Sequence, residues 1–170
     1  EKKLFDNVDY SNFENFLESL NAEYLPDCLR DLENIEDKSI DYLFSHSVME
    51  HVRLKELESL IRETYRILND GGIISHVIDF SDHLGWGLNN LRFSKKLWES
   101  EFFANSGFYT NRVSCEEILF LFKKYKFKIL YKKMKSWDEI PIKYRQLHKD
   151  FSYFNENNLK YHNLEILLIK

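Results

Sequence analysis

The 170-residue chain predicts an α/β fold with a parallel core. Three observations lead there. The apolar run IDYLF, Ile40 to Phe44, has the length and composition of a short buried strand. Leu54, Leu57, Ile61, Tyr65 and Leu68 then form one continuous helical stripe, and IISHVIDF, Ile73 to Phe80, follows as a second strand. Strand, helix and strand within about forty residues make a βαβ unit, whose crossover is right-handed.

The elements follow in order. Phe13, Phe16, Leu17 and Leu20 are spaced for a helix over Tyr10 to Leu20, with Ser11 or Asn12 available to cap it. A polar stretch runs through Pro26 and Asp31, and the turn-forming EDKS leads into Ile40. The long helix ends at Asn69-Asp70-Gly71-Gly72, where a glycine can take the left-handed conformation that closes a helix. Ile73 to Phe80 is β-branched and almost wholly apolar, the pattern of a strand buried on both faces. Ser114 to Glu117 matches a capping box, so a helix runs from there to about Tyr125. Phe127, Ile129 and Tyr131 alternate with Lys128, Leu130 and Lys132, a strand with one wet side. A further helix is expected near Pro141, and LEILLI, Leu164 to Ile169, is the last strand. With no repeat, low-complexity tract or linker, residues 1–170 read as a single domain.

Composition narrows the function. Hydrophobic residues make up 44% and charged residues 31%, a globular balance. The net charge of -4 gives no footprint for nucleic acid, and the seven lysines between Lys123 and Lys135 read as a solvated strand face. No run approaches the roughly 18 apolar residues of a membrane span, so neither nucleic acid nor membrane is expected as a partner. Cys28 and Cys115 form no CxxC pair, which fits a reducing cytoplasm and offers no zinc site. The aromatic share of 16% fits either codon bias or an aromatic-lined pocket. The chain opens on Glu1 rather than Met, and the expectation is an N-terminally truncated domain.

In an open parallel α/β sheet, ligands bind beyond the carboxyl ends of the strands. Ser45, His46 and Ser47 follow the first strand there, and Asp79, Ser81, Asp82 and His83 follow the second. Loops are polar in any protein, so the competing explanation is loop polarity and helix capping. The chemical reading is general-base catalysis. A hydroxyl that attacks an electrophile loses its proton, and His83, oriented by Asp79 or Asp82, is placed to take it. His76 lies within a strand and reads as a packing residue. Glu50 precedes the long helix, where a carboxylate complements the helix dipole. The histidines and acids do not have the spacing of an H-E-x-x-H ligand set, so no metal is expected.

Four landmarks resemble the class I S-adenosylmethionine-dependent methyltransferases of the type 11 kind. They are IEDKSIDYLFSHSVMEHV (Ile35 to Val52), IRETYRILNDGG (Ile61 to Gly72), SHVIDFSDH (Ser75 to His83), and the closing strands around Lys128 and Leu167. The resemblance covers the chain from about Asp27 onward. It implies a Rossmann-like sheet, incomplete because family strands one and two are absent, with antiparallel C-terminal strands. It implies S-adenosylmethionine as cofactor, with Asp27 (Asp31 being its rival), Ser45, His46 and Ser47 as cofactor-binding residues. His51 joins Asp79 and His83 as a catalytic candidate. The aromatic-rich segment after the second strand covers the acceptor pocket, with Trp86, Tyr109, Asn111 and Arg112 as substrate-binding candidates.

A narrower resemblance, carried by IDFSDH, LRFSKKLWES and FYTNR, implies a small, sugar-derived acceptor. The family's glycine-rich cofactor turn is not among these residues: the five glycines are Gly71, Gly72, Gly85, Gly87 and Gly107, and Gly85-Trp86-Gly87 follows the wrong strand. The chain by itself is therefore expected to be weak or inactive, with methyl transfer belonging to the intact protein. The alternative is a non-catalytic α/β interaction or structural module. A dehydrogenase-type nucleotide binder ranks third. A sheet lacking its usual neighbour exposes an edge, which predicts self-association.

Overall fold

The computed structural model describes residues 8–170. α1 spans Phe13–Ser19 and α2 spans Cys28–Asn34, ahead of strand β1 at Ile40–His46. α3, Leu54–Ile67, leads to β2, Leu68–Asp79. The one-turn helices α4, Lys95–Trp98, and α5, Glu101–Ala104, precede α6, Cys115–Lys124, and β3, Lys128–Ser136. The one-turn α7, Glu156–Lys160, feeds β4, Tyr161–Ile169. The sheet order is β1-β2-β4-β3, with β1 and β2 parallel and β4 antiparallel to both of its neighbours.

The predicted caps form. The Asn12 side chain accepts from the Asn15 amide at the start of α1. Ser114 and Glu117 close a full capping box on α6. α3 stops differently from expectation. Leu68 turns extended (φ -66°, ψ 139°) while its amide still bonds to the Thr64 carbonyl, so no glycine closes the helix. The left-handed glycine comes three residues later, where Gly71 (φ 83°) lies between the Ile40–Leu68 and Tyr42–Ile73 pairings of β1 with β2. The helix expected near Pro141 is replaced by two short 3-10 turns, Tyr144–Gln146 and Lys149–Phe151, and then α7. The run 141–155 has no continuous apolar stripe, and its aromatics Phe151 and Phe154 fill a separate small core with Leu88, Leu91, Ile142 and Leu159.

Side-chain alternation decides the two faces of the sheet. Ile74 and Ile78 of β2 and Leu164, Ile166 and Leu168 of β4 are buried together with Leu57, Leu60 and Ile61 of α3 and Ile118 and Phe122 of α6. Burying each such side chain contributes roughly 2 kcal/mol. Arg66 fastens α3 to the preceding segment, donating to the carbonyls of Leu32 (2.7 Å) and Ile35 (2.8 Å) and to Glu63 (2.7 Å). The opposite face is only partly covered among the described residues. Ile73, Val77, Leu167 and Ile169 are half-buried, while Tyr42 and Phe44 of the edge strand are 56% and 71% exposed. β2 is thus sealed on one face, not on both as its composition implies. β3 is exposed on both sides, with Ile129, Leu130 and Tyr131 all about half in solvent, because as an edge strand it meets only β4.

Candidate functional site

The carboxyl ends of β1 and β2 lie side by side, since the two strands run parallel with His46 opposite Val77. β1 ends where Ser47 takes a left-handed φ of 53° and donates its amide to the Val77 carbonyl (2.9 Å). That bend lifts the chain off the sheet into the 3-10 turn Met49–His51. Beyond β2, the loop from Phe80 to Asn90 folds around one side chain. Asp82 is fully buried (0% exposed), and its carboxylate accepts from the backbone amides of Leu84 (2.9 Å), Gly87 (3.4 Å), Asn89 and Asn90 (3.3 Å). Its own amide donates to the Gly87 carbonyl (2.8 Å). A carboxylate that gathers several amides makes a rigid loop core.

That loop presents Trp86 outward, 71% exposed, with a left-handed φ of 57°. A bulky residue there costs about 1 kcal/mol or more of backbone strain. Backbone strain of this kind gathers at functional sites, though not only there. The His83 ring lies 5.7 Å from the indole, and the His51 ring lies 5.1 Å from His83. Nδ1 of each histidine contacts a backbone carbonyl of the same segment, His51 that of Tyr109 and His83 that of Gly107, both at 3.1 Å. With Nδ1–H donating to those carbonyls, both Nε2 lone pairs are left to accept a proton.

The carboxylate partner expected for His83 is thus replaced by a carbonyl. Asp79 accepts instead from the Ser81 amide (2.8 Å) and hydroxyl (2.7 Å), and Asp82 is consumed by its loop. The acceptor-side polar residues are also committed. Tyr109 donates its hydroxyl to Glu99 (2.8 Å) and accepts from the Leu54 amide (3.0 Å). Burial and the Glu99 carboxylate push its phenol well above the usual range. Asn111 donates from its side chain to the carbonyls of Met49 (2.8 Å) and Val52 (3.1 Å) and from its backbone to that of Glu50 (2.8 Å). Arg112 is buried between Trp98 and Phe151, 5.3 and 5.0 Å from their ring centres, and donates to the carbonyls of Asn90 and Phe93. Burial brings its guanidinium down to about 10, partly offset by Glu99 at 3.6 Å. Asn111 fastens the 109–113 segment onto the Met49–His51 turn, while Tyr109 ties it to Leu54 and Glu99, and Arg112 ties it to Asn90, Phe93 and Glu99. Trp86 alone of the four substrate candidates faces solvent.

Among the cofactor candidates, His46 and Ser47 are exposed and Ser45 is half-buried, its hydroxyl bonded to Nδ1 of His76 (2.7 Å). His76 is buried against Phe122, and burial lowers its titration to about 4, so it is a neutral core group. Asp27 is the exposed N-cap residue of α2 and pairs with Arg30 (3.2 Å). Sequence reasoning missed the loop-organising role of Asp82, although an Asp followed by Gly and Asn residues is a turn signal. It also missed Glu99, whose pairing with Arg112 and Tyr109 has no sequence signature. Glu50, read as a helix-dipole partner, is 5% exposed and inward-facing.

The family model described as a methyltransferase domain matches residues 8–75. A search of curated proteins found no match. Solved structures do match. A SAM-dependent methyltransferase from Methanosarcina mazei is 18% identical, covering 94% of this chain and 78% of that one, with a TM-score of 0.57. A SAM-dependent methyltransferase from Archaeoglobus fulgidus is 13% identical, covering 93% and 73%, with a TM-score of 0.52. These likenesses establish the fold: a Rossmann-like class I methyltransferase fold whose C-terminal strands are antiparallel. Both comparisons agree with the resemblance seen in the sequence.

Proposed function

We propose that this fold serves methyl transfer from S-adenosylmethionine to a hydroxyl of a small, sugar-derived acceptor. The observation that carries the reading is the rim at the carboxyl end of β2: two imidazoles 5.1 Å apart, each anchored through Nδ1 to a carbonyl, beside an exposed tryptophan. The cofactor, when bound, supplies an electrophilic methyl group on a sulfonium. Asp27, His46 and Ser47 are exposed enough to meet it, with Ser45 partly so. Trp86 offers the acceptor an apolar face on which to stack. Nε2 of His83 or His51 takes the acceptor hydroxyl's proton as the new oxygen–carbon bond forms and the carbon–sulfur bond breaks, and later returns it to water. The rim also holds the acceptor in line for attack, which contributes through proximity.

The five glycines of residues 1–170 form no glycine-rich turn after a first strand, which supports weak cofactor binding by these residues alone. The same observation favours a second reading, a non-catalytic α/β interaction module. Isothermal titration with S-adenosylhomocysteine, followed by turnover of labelled cofactor with sugar acceptors, separates the two. Heat and turnover support the enzyme. No heat and no thermal shift at millimolar ligand support the module.

Self-association through β1 belongs to the same proposal. The other edge, β3, is guarded by Lys128, Lys132, Lys133 and Lys135, whereas β1 presents Tyr42 and Phe44 and a single acid, Asp41, already bonded to Asn69 (2.6 Å).

A further inference from the structure

The two histidines of the rim stand among apolar side chains that face solvent: Val48, Leu84, Trp86 and Phe108. Each is tied to the pair. The Val48 carbonyl accepts the His51 amide (2.9 Å), Leu84 follows His83, and the His83 ring lies 5.7 Å from the Trp86 indole. Phe108 sits between Gly107 and Tyr109, the two residues whose carbonyls hold the histidines. Charged residues make up 31% of the chain, yet none lies within residues 45–49, 83–91 or 102–111.

The polar groups of the same rim are spent on the protein itself. Tyr109 is bonded to Glu99 and Leu54, Asn111 to Met49 and Val52, and the Thr110 hydroxyl accepts from Asn90 (2.9 Å). Asp79 holds Ser81, and Asp82 holds its own loop. A sugar ring on Trp86 therefore finds few side-chain partners for its hydroxyls beyond the histidines and the exposed His46 and Ser47. Stacking on the indole also leaves Val48, Leu84 and Phe108 unused. Exposed apolar side chains grouped in this way characterise binding surfaces. A protein seated on them would cover the two imidazoles that have to meet the acceptor, so the occupant is part of the molecule that reacts there.

We infer that the acceptor carries an uncharged apolar chain, an alkyl or prenyl aglycone on its sugar, and that Val48, Leu84, Trp86 and Phe108 are the surface on which that chain docks. The role of this molecule as methyl acceptor rests on the reading above; the apolar docking does not. The chain supplies affinity that the committed polar groups cannot, up to about fourfold for each methylene taken out of water. Docked there, it holds the sugar hydroxyl against Nε2 of His83 or His51.

Isothermal titration of the full chain with methyl, hexyl and octyl glucosides, each below its micelle concentration, tests the surface without cofactor or turnover. Affinity is expected to rise by about tenfold or more from methyl to octyl. Trp86→Ser and Phe108→Ser are expected to lose most of that gain, while Phe44→Lys, on the β1 edge, keeps it. Equal affinity along the series, a gain that survives both rim substitutions, or one lost in Phe44→Lys overturns the inference. Binding to phospholipid vesicles without glycoside, lost in the same rim variants, overturns it in favour of a membrane surface. If the rim variants do not fold, iodide quenching of the wild type gives the answer, because Trp86 is exposed and Trp98 is buried. Octyl but not methyl glucoside is expected to shield the indole, and an unshielded indole overturns the inference. Chain-length-dependent binding with no heat from S-adenosylhomocysteine overturns the methyl-transfer reading alone. Heat from S-adenosylhomocysteine with a flat glucoside series overturns the apolar chain alone.

Discussion

Acidification acts on this fold through His76. The ring is 3% exposed, stacks on Phe122 at 5.6 Å, and bonds through Nδ1 to Ser45, with no carboxylate bonded to it among the described residues. Burial lowers its titration from 6.5 to about 4, so between those values the unfolded chain binds a proton that the native state refuses. The stability held by the neutral ring is fully present above the unfolded value and drains away as pH falls toward 4. The full interval corresponds to about 3 kcal/mol, and about 2 kcal/mol of it is lost between roughly pH 7.5 and pH 5. Urea unfolding at a series of pH values measures this directly. In His76→Leu, which keeps an apolar group against Phe122, the acid-dependent loss is expected to shrink by that amount while the slope with urea is unchanged. Equal losses in wild type and variant over the window would refute the claim that His76 is held neutral by burial.

Other substitutions probe the site and the sheet. Asp82→Ala strips the acceptor from four amides and is expected to cost about 3 kcal/mol, with protease sensitivity appearing between residues 83 and 90; Asp82→Asn, which keeps one acceptor oxygen, is expected to cost less. Trp86→Gly relieves the left-handed strain, so the melting temperature is expected to stay level or rise while KM for the acceptor increases severalfold. Phe44→Lys places a charge on the unguarded edge and is expected to abolish concentration-dependent self-association in sedimentation velocity at unchanged circular dichroism. A wild type that stays monomeric at high concentration refutes the edge argument.

The sequence made most of the fold readable because its strongest signals are local. The stripe from Leu54 through Ile61, the Ser114–Glu117 capping box and the β-branched Ile73–Ile78 run each fix an element within a few residues. What it did not disclose depends on partners far away in the chain. The half-open face of β2 is invisible in IISHVIDF, because composition reports what a strand can bury and not what covers it. The same holds in the site. His51, His83 and Trp86 were legible as residue types at strand ends, and the structure brings their rings together. Arg112, Asn111 and Tyr109 looked like free handles because polar residues in a loop give no sign that carbonyls and a glutamate as distant as Met49 and Glu99 will claim them.

The loop after β2 separates the part that specifies its shape from the part that faces solvent. The bonds that pin its tip run through Asp82 and the backbone of residues 84, 87, 89 and 90, and none of these uses the side chain at position 86. The tip can therefore be exchanged without refolding the frame. A single codon change at position 86 alters the exposed face of the rim, with the histidines and their carbonyl anchors left in place.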